Sequence, residues 1–179
     1  MHFSPAHLVR ITAPGGYCSG TLIGPETVLT CGHFLASADA AAVRCAVSGV
    51  TRRARAVEFY SHTDIAVVHL DSPVETAQPF PRFGTPPKPF TPTVTFGFGG
   101  RARQPAARVG RFITTLPFAV SRSGTTVVRP AGLIANAPRA IKGDSGGPVI
   151  ADGRVVAVQS LILDPFGRNL GLATVSLLS

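Results

Sequence analysis

The chain has little of what would mark it as disulfide-bonded, secreted or membrane-embedded. Its three cysteines are an odd number, so at least one thiol has no partner within a monomer. Residues 1–16 are interrupted by Pro5 and Pro14 and lack the apolar core of a signal peptide. No run approaches the length of a transmembrane helix, so we expect no membrane association. These absences predict a cytoplasmic, reducing location, with a mature secreted domain as the alternative.

Acidic residues and lysines are also scarce. Nine Asp and Glu face seventeen Lys and Arg, of which only Lys88 and Lys142 are lysines, and the formal net charge is +8. The arginines are densest at residues 52–55 and 101–103. Such patches can attract nucleic acid, but no nucleic-acid motif or aromatic–basic interleaving accompanies them. We therefore expect no nucleic-acid partner and attribute the arginine and alanine bias to a GC-rich, bacterial genome.

The sequence has no clear metal or cofactor motif. His62 and His69 are the closest approach to a ligand pair, and no cysteine or carboxylate cluster accompanies them at ligand spacing. We expect neither a metal nor a cofactor.

Short apolar or alternating runs separated by Gly, Pro and polar turns make up most of the chain. No amphipathic helix of useful length competes with them, apart from a short alanine-rich stretch at residues 36–43. Regularly spaced short strands with turn signals favour an all-β sandwich or barrel. The predicted strands cover residues 17–23, 28–31, 65–70, 94–98, 111–116, 125–129, 148–151 and 155–163.

The most informative segment is residues 143–148, with the sequence GDSGGP. Ser145 is flanked by glycines, which leave the backbone amides bare and free to point at an incoming carbonyl oxygen. A tight turn would have a similar composition, since glycine allows positive φ and Asp and Ser bond locally. The loop therefore needs support from elsewhere in the chain.

Two further segments supply that support. Residues 18–33 read CSGTLIGPETVLTCGH, a small-residue strand, a Gly-Pro turn and an apolar strand that end at His33. Asp64 opens the apolar run DIAVVHL. Asp39 and Asp71 are alternatives to Asp64 as a functional carboxylate, but neither precedes such a run. Taken singly, His33 and Asp64 would also fit ordinary structural positions.

Together, these three segments resemble the chymotrypsin/trypsin-like serine peptidases, over roughly residues 9–178. The order His33, Asp64, Ser145 is that of the chymotrypsin branch, and differs from subtilisin and the α/β-hydrolases. The resemblance implies Ser145 as nucleophile, His33 as general acid–base and Asp64 as the group that orients His33. It also implies an oxyanion hole formed by the backbone amides of Gly143 and Ser145.

The resemblance also implies a fold and a division of the chain. It predicts two six-stranded antiparallel Greek-key β-barrels with the active site in the cleft between them. The proline-rich stretch 79–92 cannot be a central strand, because proline removes a ladder donor. We predict an N-terminal barrel over residues 1–84, a linker over 85–92 and a C-terminal barrel over 93–179. A polyproline ligand for an SH3-type domain is the alternative interpretation of the proline-rich stretch.

Several departures from the secreted members of the family are informative. Phe34 and Ile141 stand where those members have cysteines. Cys18 could in principle pair with Cys31, or all three thiols could stay free. Many members pair a trimmed Ile-Val-Gly-Gly N-terminus with the Asp before the nucleophile, and no such sequence occurs here. We expect an arginine of the second barrel to pair with Asp144, and any control to come from a fused domain or an activating protein partner.

The resemblance assigns substrate-binding roles to Arg139, Ser160, Ile162 and Gly171. Arg139 occupies the usual base of the pocket for P1, the residue before the scissile bond, which disfavours cleavage after Lys or Arg. Ile162 replaces a glycine that admits large side chains, so the pocket would suit small aliphatic P1 residues. An inward Arg139 would favour acidic P1 instead.

The resulting interpretation is a serine endopeptidase that cleaves protein or peptide substrates through an acyl-enzyme. The alternatives are a catalytically silent or partner-gated domain that serves as a protein-binding module, and a basic scaffold whose peptidase fold is incidental.

Overall fold

The computed structural model describes residues 3–178 and is built from β-strands, with no α-helix in that range. Four single 3-10 turns accompany the strands, and no described helix is long and apolar enough to cross a bilayer. The strands of the first half are β1 Leu8–Ala13, β2 Gly16–Gly24, β3 Thr27–Cys31, β4 Arg44–Val47, β5 Val50–Tyr60 and β6 Ile65–Leu70. Those of the second half are β7 Pro92–Gly97, β8 Ala106–Leu116, β9 Ala119–Val120, β10 Val127–Val128, β11 Ala131–Ala137, β12 Pro148–Ala151, β13 Arg154–Ile162 and β14 Leu172–Leu177.

The strands close into two six-stranded antiparallel barrels, which confirms the predicted fold class. The first barrel has the cyclic order β1-β2-β3-β6-β5-β4, and the second β7-β8-β11-β14-β13-β12. Each barrel therefore joins its first three strands in sequence and returns with the last three in reverse, so the halves share one topology. Closure leaves no long unpaired edge around either barrel. Strands β9 and β10 form a separate two-stranded sheet.

Apolar side chains fill the two barrels. One cluster contains Ile11, Val28 and Val68 of the first barrel, and the other contains Phe112 and Ile134 of the second, all fully or nearly fully buried. The first cluster also includes Ile150, Val155 and Val158 from β12 and β13. The two barrels therefore pack on each other through apolar contacts as well as polar ones.

The proline-rich segment lies against the second barrel. Gly84 N donates to Val155 O at 2.9 Å and Val155 N donates to Arg82 O at 2.9 Å, so the segment is hydrogen-bonded to the first residues of β13. No strand of either barrel lies between β6 and β7. The predicted domain boundaries at residues 84 and 92 stay a prediction.

The sequence patterns located the apolar strands better than the amphipathic ones. Strand β5 was missed because its outer face carries exposed arginines, Arg53 and Arg55, which broke the apolar pattern. The strand predicted at residues 125–129 is wrong in extent, since only Val127–Val128 pairs. The alanine-rich stretch contains a single 3-10 turn, Ala40–Ala42, because a run that short gains too few helical hydrogen bonds to propagate.

Candidate active site

Strand pairing brings His33 and Asp64 together. In the antiparallel pairing of β3 and β6, Cys31 lies opposite Ile65, so the residues that follow β3 meet the residue that precedes β6. Gly32 N then donates to Asp64 O at 3.0 Å. His33 Nδ1 lies 2.7 Å from Asp64 Oδ2, and His33 N donates to Asp64 Oδ1 at 2.7 Å. The carboxylate thus holds both the ring and the backbone of His33.

The second barrel also holds the Asp64 carboxylate. Asp64 is 2% exposed, and its Oδ2 accepts a hydrogen bond from Ser160 Oγ on β13. Its backbone N–H donates to Ser176 Oγ on β14 at 3.3 Å. Ser160 thus supplies the carboxylate with a hydrogen-bond donor in place of water, and Ser176 supplies the Asp64 backbone with an acceptor. The sequence pattern did not indicate Ser176, because nothing near it marks a partner more than a hundred residues away.

The surroundings of His33 change its proton affinity in opposing ways. Burial of the ring disfavours the charged form and lowers the pKa of His33, while hydrogen bonds to Asp64 and Cys31 and their charges raise it. The raising interactions prevail, so the pKa of His33 lies above its ordinary 6.5. The pKa of the Cys31 thiol is itself raised well above 9.0 by its hydrogen bond to Cys18 and by burial. Because that thiol stays neutral at pH 7, Asp64 is the charge that acts on His33.

Ser145 lies in the loop before β12 and lines the same cleft as His33. Its carbonyl accepts a hydrogen bond from Ser19 N at 2.8 Å, which attaches the loop to the first barrel. Its hydroxyl donates to Ser160 O at 3.2 Å, and no hydrogen bond joins it to His33 within residues 3–178. The structure therefore brings the predicted nucleophile to the cleft with its hydroxyl turned towards β13.

Hydrogen bonds fix the peptide groups on both sides of Gly143. Gly100 N donates to Lys142 O at 3.1 Å, and Ser19 Oγ donates to Gly143 O at 2.7 Å. Gly143 has φ +101°, and a β-carbon there would collide with the Tyr17 ring, so only glycine fits. The backbone N–H groups of Gly143 and Ser145 have no acceptor among the described residues. They are free to bind a negatively charged oxygen.

An arginine of the second barrel pairs with Asp144, as the sequence analysis expected. Arg108 Nε on β8 donates to Asp144 Oδ2, and both side chains are buried. The carboxylate also accepts from Gly99 N at 2.9 Å and Ile141 N at 2.8 Å. Alternation along β8 places Arg108 on the same inward face as Phe112. A charged residue on the inward face of a strand requires a partner. The position of Arg108 in the sequence could therefore have indicated a buried ion pair.

The cysteines are three separate thiols, all buried. The pKa of Cys31 is raised as described above, and burial raises the pKa of Cys45 to about 12. A thiol is a nucleophile as its thiolate, so neither cysteine competes with Ser145 for that role near pH 7.

Other candidate residues have ordinary structural positions. Asp39 caps the 3-10 turn by accepting from Ala41 N at 3.0 Å, and Asp71 is exposed beside Arg53. His69 contacts Glu58 at 3.3 Å and His62 is exposed. No group of three potential metal ligands lies within residues 3–178.

The predicted substrate-binding residues lie around one end of β13. Ser160 and Ile162 belong to β13, and Gly171 precedes β14, with which the end of β13 pairs. Arg139 is exposed, and its Nη1 donates to Asn169 O at 2.5 Å. A β-carbon on Gly171 would lie 3.5 Å from Arg139 Cγ, so the arginine stem covers this glycine. Gly171 N donates to Asn169 Oδ1 at 2.9 Å.

One edge of β13 is open at this end. Strand β12 pairs with residues 154–158 of β13, whereas β14 continues to pair as far as Ile162. The N–H and carbonyl of Gln159 are hydrogen-bonded to the nucleophile loop. After Gln159, one side of β13 therefore has no strand partner in the described chain. An open edge beside a cleft can pair with an extended peptide.

Comparison with known proteins agrees with this geometry. The family model described as trypsin-like peptidase domain matches residues 18–158. Among solved structures, the active form of the Rv3671c protease from M. tuberculosis is similar, with a TM-score of 0.77 and 22% identity over 97% of this chain and 76% of that chain. Kallikrein-related peptidase 10 has a TM-score of 0.74 and 17% identity over 97% of this chain and 90% of that one.

A scabies mite inactivated protease paralogue, S-D1, is as similar in structure as the active form of the Rv3671c protease. Its TM-score is 0.78 and its identity 11%, over 96% of this chain and 86% of that one. At such identities the shared feature is the fold, which active and inactivated proteins both adopt. On the strength of the family match, which spans most of the sequence, the chain belongs to the trypsin-like peptidase domain family.

Proposed function

We propose that this chain is a serine endopeptidase with His33, Asp64 and Ser145 as its catalytic triad. The observation that carries the proposal is the hydrogen-bonded pair His33–Asp64 facing the same cleft as Ser145 and two unpaired backbone amides. A serine hydroxyl needs a neighbouring base, a base needs a fixed tautomer, and the oxyanion needs preorganised donors. The cleft contains a candidate for each.

The proposed reaction begins with a rotation of the Ser145 side chain from Ser160 O towards His33 Nε2. His33 takes the hydroxyl proton as Oγ bonds to the substrate carbonyl carbon, and the N–H groups of Gly143 and Ser145 bind the oxyanion. His33 then gives the proton to the leaving amine as the C–N bond breaks, which leaves an acyl-enzyme. A water molecule, deprotonated by His33, hydrolyses the ester and Ser145 regains its proton.

We propose further that the acyl half of the substrate pairs with the open edge of β13 at Ser160 and Ile162. Arg139, held by Asn169 O, keeps a positive charge near the P1 site and disfavours Lys or Arg there. Ile162 narrows the site towards small aliphatic P1 residues. The acidic alternative requires Arg139 to leave Asn169.

Labelling with a fluorophosphonate probe tests the proposed function directly. We expect one adduct on the native chain by intact mass, and none on Ser145→Ala, because the probe reacts with an activated serine. Ser48→Ala, which changes a hydroxyl bonded to Ala6 O far from the cleft, is the matched control and keeps its adduct. A well-folded native protein that takes no adduct would contradict the proposal.

A second candidate function, a silent or partner-gated binding module, draws on one observation. The Ser145 hydroxyl is bonded to Ser160 O and not to His33, as in a site that awaits a trigger. The labelling experiment separates the two functions, since a gated site would label only after the partner is added. A fused domain, an activating partner and a reducing cellular location stay predictions.

The raised pKa of His33 predicts how reactivity depends on pH. The neutral imidazole is the form that accepts the Ser145 proton, so activity is present above the pKa of His33 and lost as the pH falls through it. We expect the acid limb of the probe-inactivation rate, measured between about pH 5 and 10, to have its midpoint above the ordinary 6.5. A midpoint at or below that value would show that burial outweighs Asp64.

A further inference from the structure

The cleft that His33 and Ser145 line continues past these residues as a pocket formed outside β13. It has a volume of about 740 Å³ and is lined by parts of residues 14–18, 33–37, 100–101 and 142–145. It includes Ser145, His33 and Gly143 but no residue of β13. If the acyl half of a substrate pairs with β13, as the proposed function requires, the leaving-group half emerges into this pocket. We refer to it as the leaving-group pocket.

Among the described residues, the charged side chains that line the leaving-group pocket are cationic. Arg101 and Lys142 line it and are exposed, and no Asp or Glu lines it. A third cation, Arg10, stacks on another lining residue, with its guanidinium carbon 4.6 Å from the centre of the Tyr17 ring. The ion pairs within residues 3–178 involve none of these three cations. Arg101 and Lys142 therefore present positive charge to the pocket without an internal counter-ion, and Arg10 adds charge behind Tyr17.

The backbone that carries these cations is attached to the catalytic loop. Gly100 N donates to Lys142 O at 3.1 Å, and Arg101 N donates to the Tyr17 hydroxyl. Arg101 has φ +63°, a left-handed conformation that is uncommon for a side chain of this kind. The Tyr17 ring in turn packs on Gly143. The positions of Arg101 and Lys142 are thus set relative to the scissile bond, unlike those of the arginines on the outer face of β5.

We propose that the leaving-group pocket selects substrates with a carboxylate within two residues after the scissile bond. An anion there would meet cations that have no other partner, and complementary charge gives both faster encounter and specificity. The carboxylate could be an Asp or Glu side chain at P1′ or P2′, or the C-terminal carboxylate of a short leaving peptide. Because Arg101 and Lys142 are exposed, the preference falls as salt screens the charges.

Matched peptides test this preference. The peptides share a randomised acyl half and are made in pairs with Asp or Asn at P1′ or P2′. Each peptide is also made with a free acid and with an amide at its C-terminus. We expect kcat/KM to favour Asp over Asn about fivefold at low ionic strength, and the ratio to approach one in about 0.5 M salt. An advantage of the free acid over the amide, confined to short leaving peptides, would identify the terminal carboxylate as the recognised group.

Variants locate the recognition. Arg101→Gln and Lys142→Gln should each reduce the carboxylate preference, whereas Arg55→Gln, the same charge change on the outer face of β5, should leave the ratio intact. The inference would be overturned if Asp and Asn peptides were cleaved equally and free acids had no advantage over amides, or if Arg55→Gln lost the preference to the same extent.

A failure of the carboxylate preference can be told apart from a failure of the proposed function, because a fluorophosphonate reacts at Ser145 without a leaving peptide. Labelling together with equal cleavage in both the Asp/Asn and the acid/amide comparison would overturn the preference alone. A chain that shows neither labelling nor cleavage would overturn both the preference and the proposed function.

Discussion

Asp64→Asn is expected to reduce kcat by about 10⁴-fold while the fold survives. Asp64 accepts hydrogen bonds from His33 Nδ1 and Ser160 Oγ at one oxygen, and from His33 N at the other. The amide has one oxygen and one NH₂ group, so it cannot accept all three bonds. An NH₂ group facing Nδ1 would favour the tautomer whose Nε2 carries a proton and cannot serve as a base. The imidazolium formed during the reaction would also lose its counter-charge.

The measurement is turnover of a peptide ester together with the rate of fluorophosphonate inactivation, and thermal unfolding reports the fold. Asp71→Asn is the matched control, because it makes the same change at an exposed aspartate that accepts from Arg53 N at 3.3 Å. Its kinetics should match those of the unaltered chain. A loss of less than about tenfold in Asp64→Asn would show that His33 does not depend on this carboxylate.

Arg108→Met is the second large effect that we expect, this time on stability. The substitution keeps an apolar stem but removes the cation from a fully buried carboxylate, Asp144. Breaking a buried pair by removing one partner costs about 3–5 kcal/mol, because the other charge stays buried without compensation. For a chain of this size the melting temperature should fall by about 10 °C. Asp144 adjoins Ser145, so labelling by the fluorophosphonate should fall as well.

A double variant separates the charge from the shape. Arg108→Met with Asp144→Asn removes both charges, and we expect it to recover part of the stability lost in Arg108→Met alone. Arg103→Met, at an exposed arginine a few residues earlier, should change stability by no more than about 0.5 kcal/mol. If the single and double variants were equally unstable, the electrostatic explanation would fail in favour of a packing defect.

The sequence predicted the fold class and three site residues because their requirements are local. The glycines around Ser145, the approach to His33 and the apolar run after Asp64 each reflect constraints within a few neighbouring residues, and such constraints leave a readable pattern. The barrels followed from the resemblance and are confirmed, while the catalytic roles stay a proposal. The sequence did not predict strands β1, β4, β5, β9, β11 and β14, because they are very short or because polar and small residues interrupt their apolar pattern.

The contacts that hold the site could not be predicted in the same way. Ser19 orients Gly143 and Ser176 supports Asp64, yet each acts on a residue more than a hundred positions away. Only the pairing of two closed barrels brings such positions together. Arg108 is an intermediate case, because its place on an inward strand face implied a partner without identifying Asp144.

The support of Asp64 by Ser160 and Ser176 has a consequence for how the two barrels communicate. His33 is oriented by Asp64 of its own barrel, but hydroxyls of the other barrel hold Asp64, Ser160 at its carboxylate and Ser176 at its backbone N–H. A small rotation of one barrel against the other would lengthen these bonds before it exposed either apolar core. Peptidase activity would therefore report small changes in how the two barrels pack on each other. A ligand that shifts one barrel against the other would regulate turnover without contacting the substrate.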